Sequence, residues 1–135
     1  MSIKENKIIV QKFYDALQIG NYDLVKELCH PDFVFYHQID TPHIGAEGFI
    51  ASEGKNLAAF SGFSMEIKNL IAEDDKVAAY LVFEGNQSGE IFGHKPQGAK
   101  LRFSLMMMLT IKDSKIIEKR AHFDRLDIMN QLEIL

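Results

Sequence analysis

A chain of 135 residues in which 47% of side chains are apolar can bury one packed core, and it is too hydrophobic for a disordered polymer. The net charge is only −4, and the fifteen Lys and Arg are scattered rather than gathered into a stripe, which argues against a nucleic-acid partner. No apolar run reaches the roughly eighteen residues of a membrane span, and MSIKENKIIVQKF carries charge where a secretory leader needs its apolar block. The expected location is therefore the cytoplasm, with no membrane partner.

Ser2 and Glu5 form an S-x-x-E capping box, and Ile9, Phe13 and Leu17 recur behind it, which predicts an amphipathic helix ending near Gly20. Asn21 can cap a second, shorter helix with Tyr22, Val25, Leu28 and Cys29 on its apolar face, stopped by Pro31. Cys29 has no second cysteine to pair with, and reads as a small buried apolar residue.

Residues 33–37, FVFYH, predict a short strand with Phe33, Phe35 and His37 on one face and Val34 and Tyr36 on the other. A loop at Thr41, Pro42 and Gly45 comes next. Glu47 to Phe60 predicts a third helix, apolar at Phe49, Ile50, Leu57 and Phe60.

Beyond Ser61 the period changes to two. Met65, Ile67 and Asn69 alternate with Glu66, Lys68 and Leu70, residues 73–76 make a tight turn, and VAAYLVFEGN gives the next strand. A connection with Gly85, Gly89, Gly93 and Gly98 then matches neither a dinucleotide fingerprint nor a Walker motif, and reads as a hairpin or lid. Leu101 to Ile111 is a long strand with Met106, Met107 and Met108 spread over both faces, suited to sheet core plus a subunit contact.

The closing stretch KIIEKRAHFDRLDIMNQLEIL begins as a strand that places Ile116, Glu118, Arg120, His122 and Asp124 on one side. Leu126, Met129 and Leu132 then recur at helical spacing, so Asp124 stands at a strand-to-helix corner. Helices first and a meander of long strands after them imply an α+β fold, a curved, mostly antiparallel sheet wrapped around the N-terminal helices. Such a sheet encloses a central cavity, and the polar row is expected to point into it.

In order and spacing, IIVQKFYDALQIGNYDLVKELCHPDFVFY, HIGAEGF, SGEIFGHKPQGAKLRF and KIIEKRAHFDRLDIMNQL resemble the SnoaL-like polyketide cyclases of the NTF2-like, cone-shaped superfamily. The resemblance covers nearly all of residues 1–135 as a single domain. It implies cofactor-free acid/base chemistry on a carbonyl-bearing organic substrate, with Asp124 as the catalytic acid/base. Arg120 stands where the family commonly has tryptophan, which makes the expected cavity more polar. The resemblance also implies a homodimer through the outer sheet face.

Around Asp124, His122 lies two residues away on the same face, about 7 Å along the strand, and can relay a proton or polarise a carbonyl. Arg120 and Glu118 extend the row as an oxyanion donor and its partner, or as a structural ion pair. His37 is placed to reach substrate from the first strand, and Tyr80 or Tyr36 to donate a hydrogen bond as a tyrosine does in ketosteroid isomerase. Asp124 is equally suited to cap the helix that begins at Arg125. His43 and His94 fit a lid. No H-x-H or H-E-x-x-H occurs, so no metal is expected. An isomerase on the same cone and a non-catalytic ligand-binding dimer are the alternatives.

Overall fold

The computed structural model describes residues 2–134. Helix α1 (Ile3–Gln18) begins at the expected cap, where Ser2 Oγ accepts the Glu5 N–H at 3.0 Å. The bond satisfies one of the donors that a first helical turn leaves free. Its buried face is Val10, Phe13, Tyr14 and Leu17. Asn21 Oδ1 accepts the Leu24 N–H at 3.2 Å and opens α2 (Tyr22–Leu28).

Strand β1 (Cys29–Tyr36) starts earlier than the sequence suggests, with Pro31 inside it rather than at a helix end. A residue before proline prefers extended backbone, and proline offers no ladder donor. Accordingly the pairing of β1 is interrupted between Cys29 and Val34. The expected loop contains a short strand, β2 (Pro42–Ile44), and α3 (Gly45–Ala58) begins directly after it.

Strands β3 (Ser64–Glu73), β4 (Lys76–Asn86), β5 (Lys100–Lys112) and β6 (Lys115–His122) form the meander, and α4 (Arg125–Gln131) ends it. The two tight turns place Asp74 at φ 52° and Asp113 and Ser114 at φ 51° and 63°. Short polar side chains tolerate that left-handed backbone by bonding locally. The sheet order is β2-β1-β6-β5-β4-β3, and every pair is antiparallel except β1 with β6. The α+β cone is thus the observed architecture, its curved sheet packed on α1 and α3. Among the described residues no helix is long and apolar enough to cross a membrane.

Two bulges change which side chains face the helices. In β3 the pairing slips between Ile67 and Asn69, so the inward row runs Met65, Ile67, Leu70, Ala72 and leaves Asn69 outside. Opposite β6 it slips between Thr110 and Ile111, where Thr110 pairs with Glu118 but Ile111 with Ile116. The extra residue, Ile117, shifts the alternation of β6 by one. Ile116, Lys119 and Ala121 are therefore buried together, whereas Glu118 and Arg120 are only partly covered and His122 is exposed. In α4, Ile128 and Leu132 are buried and Leu126 is 59% exposed, correcting the apolar stripe expected there.

The core has two parts. Phe13, Phe33, Phe35 and Phe49 anchor the cluster under α1 and α3, each contributing about 1.5–3 kcal/mol by burial. Phe60, Phe83, Leu101, Ile128 and Leu132 anchor the other, beneath α4.

Candidate functional site

Where the two clusters meet they leave a cavity of about 110 Å³, walled by members of both, including Phe35, Phe49, Phe60 and Phe83. A single water needs only ~10–15 Å³ of such space. Against these apolar walls stand four side chains with polar ends: Tyr14 from α1, Glu53 and Asn56 from α3, and Lys119 from β6.

Lys119 is 2% exposed. Its Nζ lies 4.9 Å from the ring centre of Phe35, 5.3 Å from that of Phe49 and 5.6 Å from that of Tyr14. Among the described residues its one hydrogen-bond partner is Met107 Sδ at 3.4 Å, and it forms no ion pair. Burial lowers its pKa from 10.5 to about 8, with Glu53 and Cys29 opposing the shift. An amine in low dielectric resists protonation, and nearby negative groups restore part of the preference.

The Tyr14 hydroxyl is buried and has no partner among the described residues. Burial, reinforced by Glu53, holds its pKa well above 10, so it remains a proton donor. Asn56 Nδ2 donates to Glu53 Oε2 at 3.3 Å. Cys29 is buried and its thiol is pushed up to about 12, which leaves it unreactive at neutral pH.

A larger hollow of about 550 Å³ adjoins the cavity, sharing Glu53, Asn56, Phe92 and Phe123 and adding His37, His43 and Arg125. His37 therefore stands in a vestibule, one step outside the cavity wall where it was expected. Its Nδ1 lies 2.7 Å from His43 Nε2, and the His43 ring stacks on Phe35 at 5.6 Å. His94 is exposed in the tight turn bridging Ile91 and His94, where Phe92 has φ 51° and lies 4.3 Å below the Arg125 guanidinium.

The polar row of β6 does not floor the cavity. Glu118, Arg120 and His122 point to the outer face because the bulge at Ile117 sets the phase, and because the inner face can shelter Ala121 and part of Phe123 more cheaply than a line of ionisable groups. Glu118 and Arg120 pair with each other at 3.1 Å, and the guanidinium covers Tyr36 at 4.0 Å. His122, Asp124 and Tyr80 do come together, in an open depression beside Met106. Asp124 Oδ1 accepts the Asp127 N–H at 3.0 Å and so caps α4.

Tyr14, Glu53, Asn56 and Lys119 were not singled out by sequence. Tyr14 shares the helical spacing of Val10 and Leu17, and Lys119 shares its strand face with Ala121 and Phe123, the less polar of the two faces. Among the described residues no three His, Cys, Asp or Glu side chains stand close enough to hold a metal.

An α+β cone that encloses an apolar cavity between its helices and a six-stranded mixed sheet defines the NTF2-like class. Within that class, the family described as SnoaL-like polyketide cyclase matches residues 7–132, and the chain belongs to that family. A protein of Jannaschia sp. CCS1, provisionally described as a SnoaL-like polyketide cyclase, superimposes with a TM-score of 0.91 at 24% identity over 100% of this chain and 96% of its own. AclR of Streptomyces galilaeus, provisionally a hydroxylase, gives 0.88 at 23% identity over 99% of each chain. TsrD of Streptomyces laurentii gives 0.88 at 22% identity, over 100% of this chain and 99% of its own. Identities this low establish the fold. No curated protein matches the sequence.

Proposed function

We propose that this protein takes a small, largely apolar, carbonyl-bearing organic molecule into the cavity and carries out cofactor-free acid/base chemistry of the cyclase type on it. The observation that carries this reading is the convergence of Tyr14, Glu53, Asn56 and Lys119 on one otherwise apolar space. Glu53 is the carboxylate at that space, and it is the candidate base for a proton on the carbon next to the carbonyl. The unpartnered Tyr14 hydroxyl and the Lys119 amine are the candidate donors to the carbonyl oxygen as negative charge develops there. The resulting carbanion would then attack a second carbonyl of the same molecule and close a ring.

A thermal-shift screen of aromatic ketones and aldehydes against wild type and Glu53→Gln tests the reading. Ligands that stabilise both proteins but are turned over only by wild type support it; a screen in which no compound stabilises either would sink it.

A second reading keeps Asp124 as acid/base with His122 and Tyr80, on the strength of their meeting in one depression. The cavity is favoured because it lies among buried apolar walls and because Asp124 already accepts a cap bond. The same outer face, with Met106 and Met108 52% and 43% exposed, is proposed to join two copies in a cytoplasmic homodimer.

A further inference from the structure

We propose that Lys119 condenses with the carbonyl group of the bound molecule to form an imine, making this cavity a covalent site for aldehydes and ketones. The inference rests on the carbonyl-binding reading above and adds a bond to it. An amine buried among aromatic rings without an ion-pair partner among the described residues is an expensive way to fill a core, since methionine or leucine would occupy the same volume without the desolvation cost. The position supplies instead a nitrogen held among Phe35, Phe49 and Tyr14, facing free space. Burial also raises the unprotonated fraction of that nitrogen near neutral pH well above that of an exposed lysine, and the neutral amine is the form that attacks.

The step balances within the site. The Nζ lone pair adds to the carbonyl carbon, the C=O π pair moves to oxygen, and one N–H proton is transferred to that oxygen to give a carbinolamine. Tyr14 is placed to protonate the departing hydroxyl and to recover the second N–H proton, so one water leaves and a C=N bond remains. Protonated, that imine is a stronger electron sink than the carbonyl, which makes the adjacent C–H easier for Glu53 to deprotonate. The three rings that surround Nζ then stabilise the iminium charge.

The experiment treats the full chain at pH 7.5 with benzaldehyde, cinnamaldehyde or acetophenone, adds sodium borohydride, and maps the adduct by peptide mass spectrometry, with thermal shifts measured beforehand. The expected result is a reduced adduct on Lys119 at least tenfold above that on any surface lysine, absent in Lys119→Arg, which keeps the charge but cannot condense. Compounds that stabilise wild type and Lys119→Met alike, yet leave Lys119 unmodified, would overturn the imine while the binding cavity stands. Compounds that neither stabilise the protein nor label Lys119 would overturn both.

Discussion

The nitrogen of Lys119 sits 4.9 Å from the centre of the Phe35 ring, with the two strands that carry them running parallel and side by side. That contact places a titrating amine among aromatic rings, and its consequence can be measured without knowing any substrate. The folded pKa is about 8 against 10.5 for an exposed lysine, so between those values the unfolded chain binds more protons than the folded one. Stability contributed by this group must therefore rise with pH across that window. The gap in unfolding free energy between wild type and Lys119→Met should move by about 3 kcal/mol in favour of wild type from pH 7.5 to 10.5. Urea titrations at several pH values measure it, and a constant gap would mean that the amine titrates normally.

Asp124 separates a cap from a base. Asparagine keeps the oxygen that accepts the Asp127 N–H, so Asp124→Asn should unfold close to wild type, whereas Asp124→Ala should lose about 1 kcal/mol. Turnover by Asp124→Asn should be retained if chemistry occurs in the cavity. A hundredfold loss at unchanged stability would move the chemistry to the outer depression.

The bond between His37 and His43 needs one ring nitrogen free to accept. The pair stands in a hollow that also holds Glu53, Glu90, Lys55 and Arg125. Entry of a fluorescent aromatic ketone should accelerate severalfold in His43→Phe, which preserves stacking on Phe35 but removes the bond to His37. An unchanged entry rate in His43→Phe would show that the pair does not limit access.

For the proposed dimer, Met106→Glu is the sharpest probe because it puts charge in the middle of an exposed sheet face. Sedimentation should show two copies for wild type and one for the variant, with helical content unchanged. A monomeric wild type would end the proposal.

Fold and site were unequally legible in the sequence. Caps at Ser2 and Asn21 and the turns at Asp74 and Asp113 are local signals, and each appears where the residues imply. A bulge is different, because it is set by pairing with another strand. The slip opposite Ile117 inverted the reading of β6, exchanging Lys119 for Glu118, Arg120 and His122 as the side chains that face inward. Nothing in a period-two pattern marks the residue at which the phase changes. Lys119 was also hidden by its own chemistry, since a lysine between Glu118 and Arg120 looks like solvated surface until three rings from other elements are brought around it.

The pairing of β1 with β6 sets when the site can exist. Val34 finds Glu118, and Phe35 finds Lys119, only after all the intervening chain is available, whereas the β3–β4 and β4–β5 hairpins can zip locally. Closing so long a loop is entropically costly, and contacts of this range slow folding. During synthesis the N-terminal helices and the meander would therefore wait for β6 to emerge from the ribosome. The reactive amine and the wall that shelters it would then arrive in the same event, leaving no earlier stage at which a sheltered amine stands ready to scavenge cellular aldehydes.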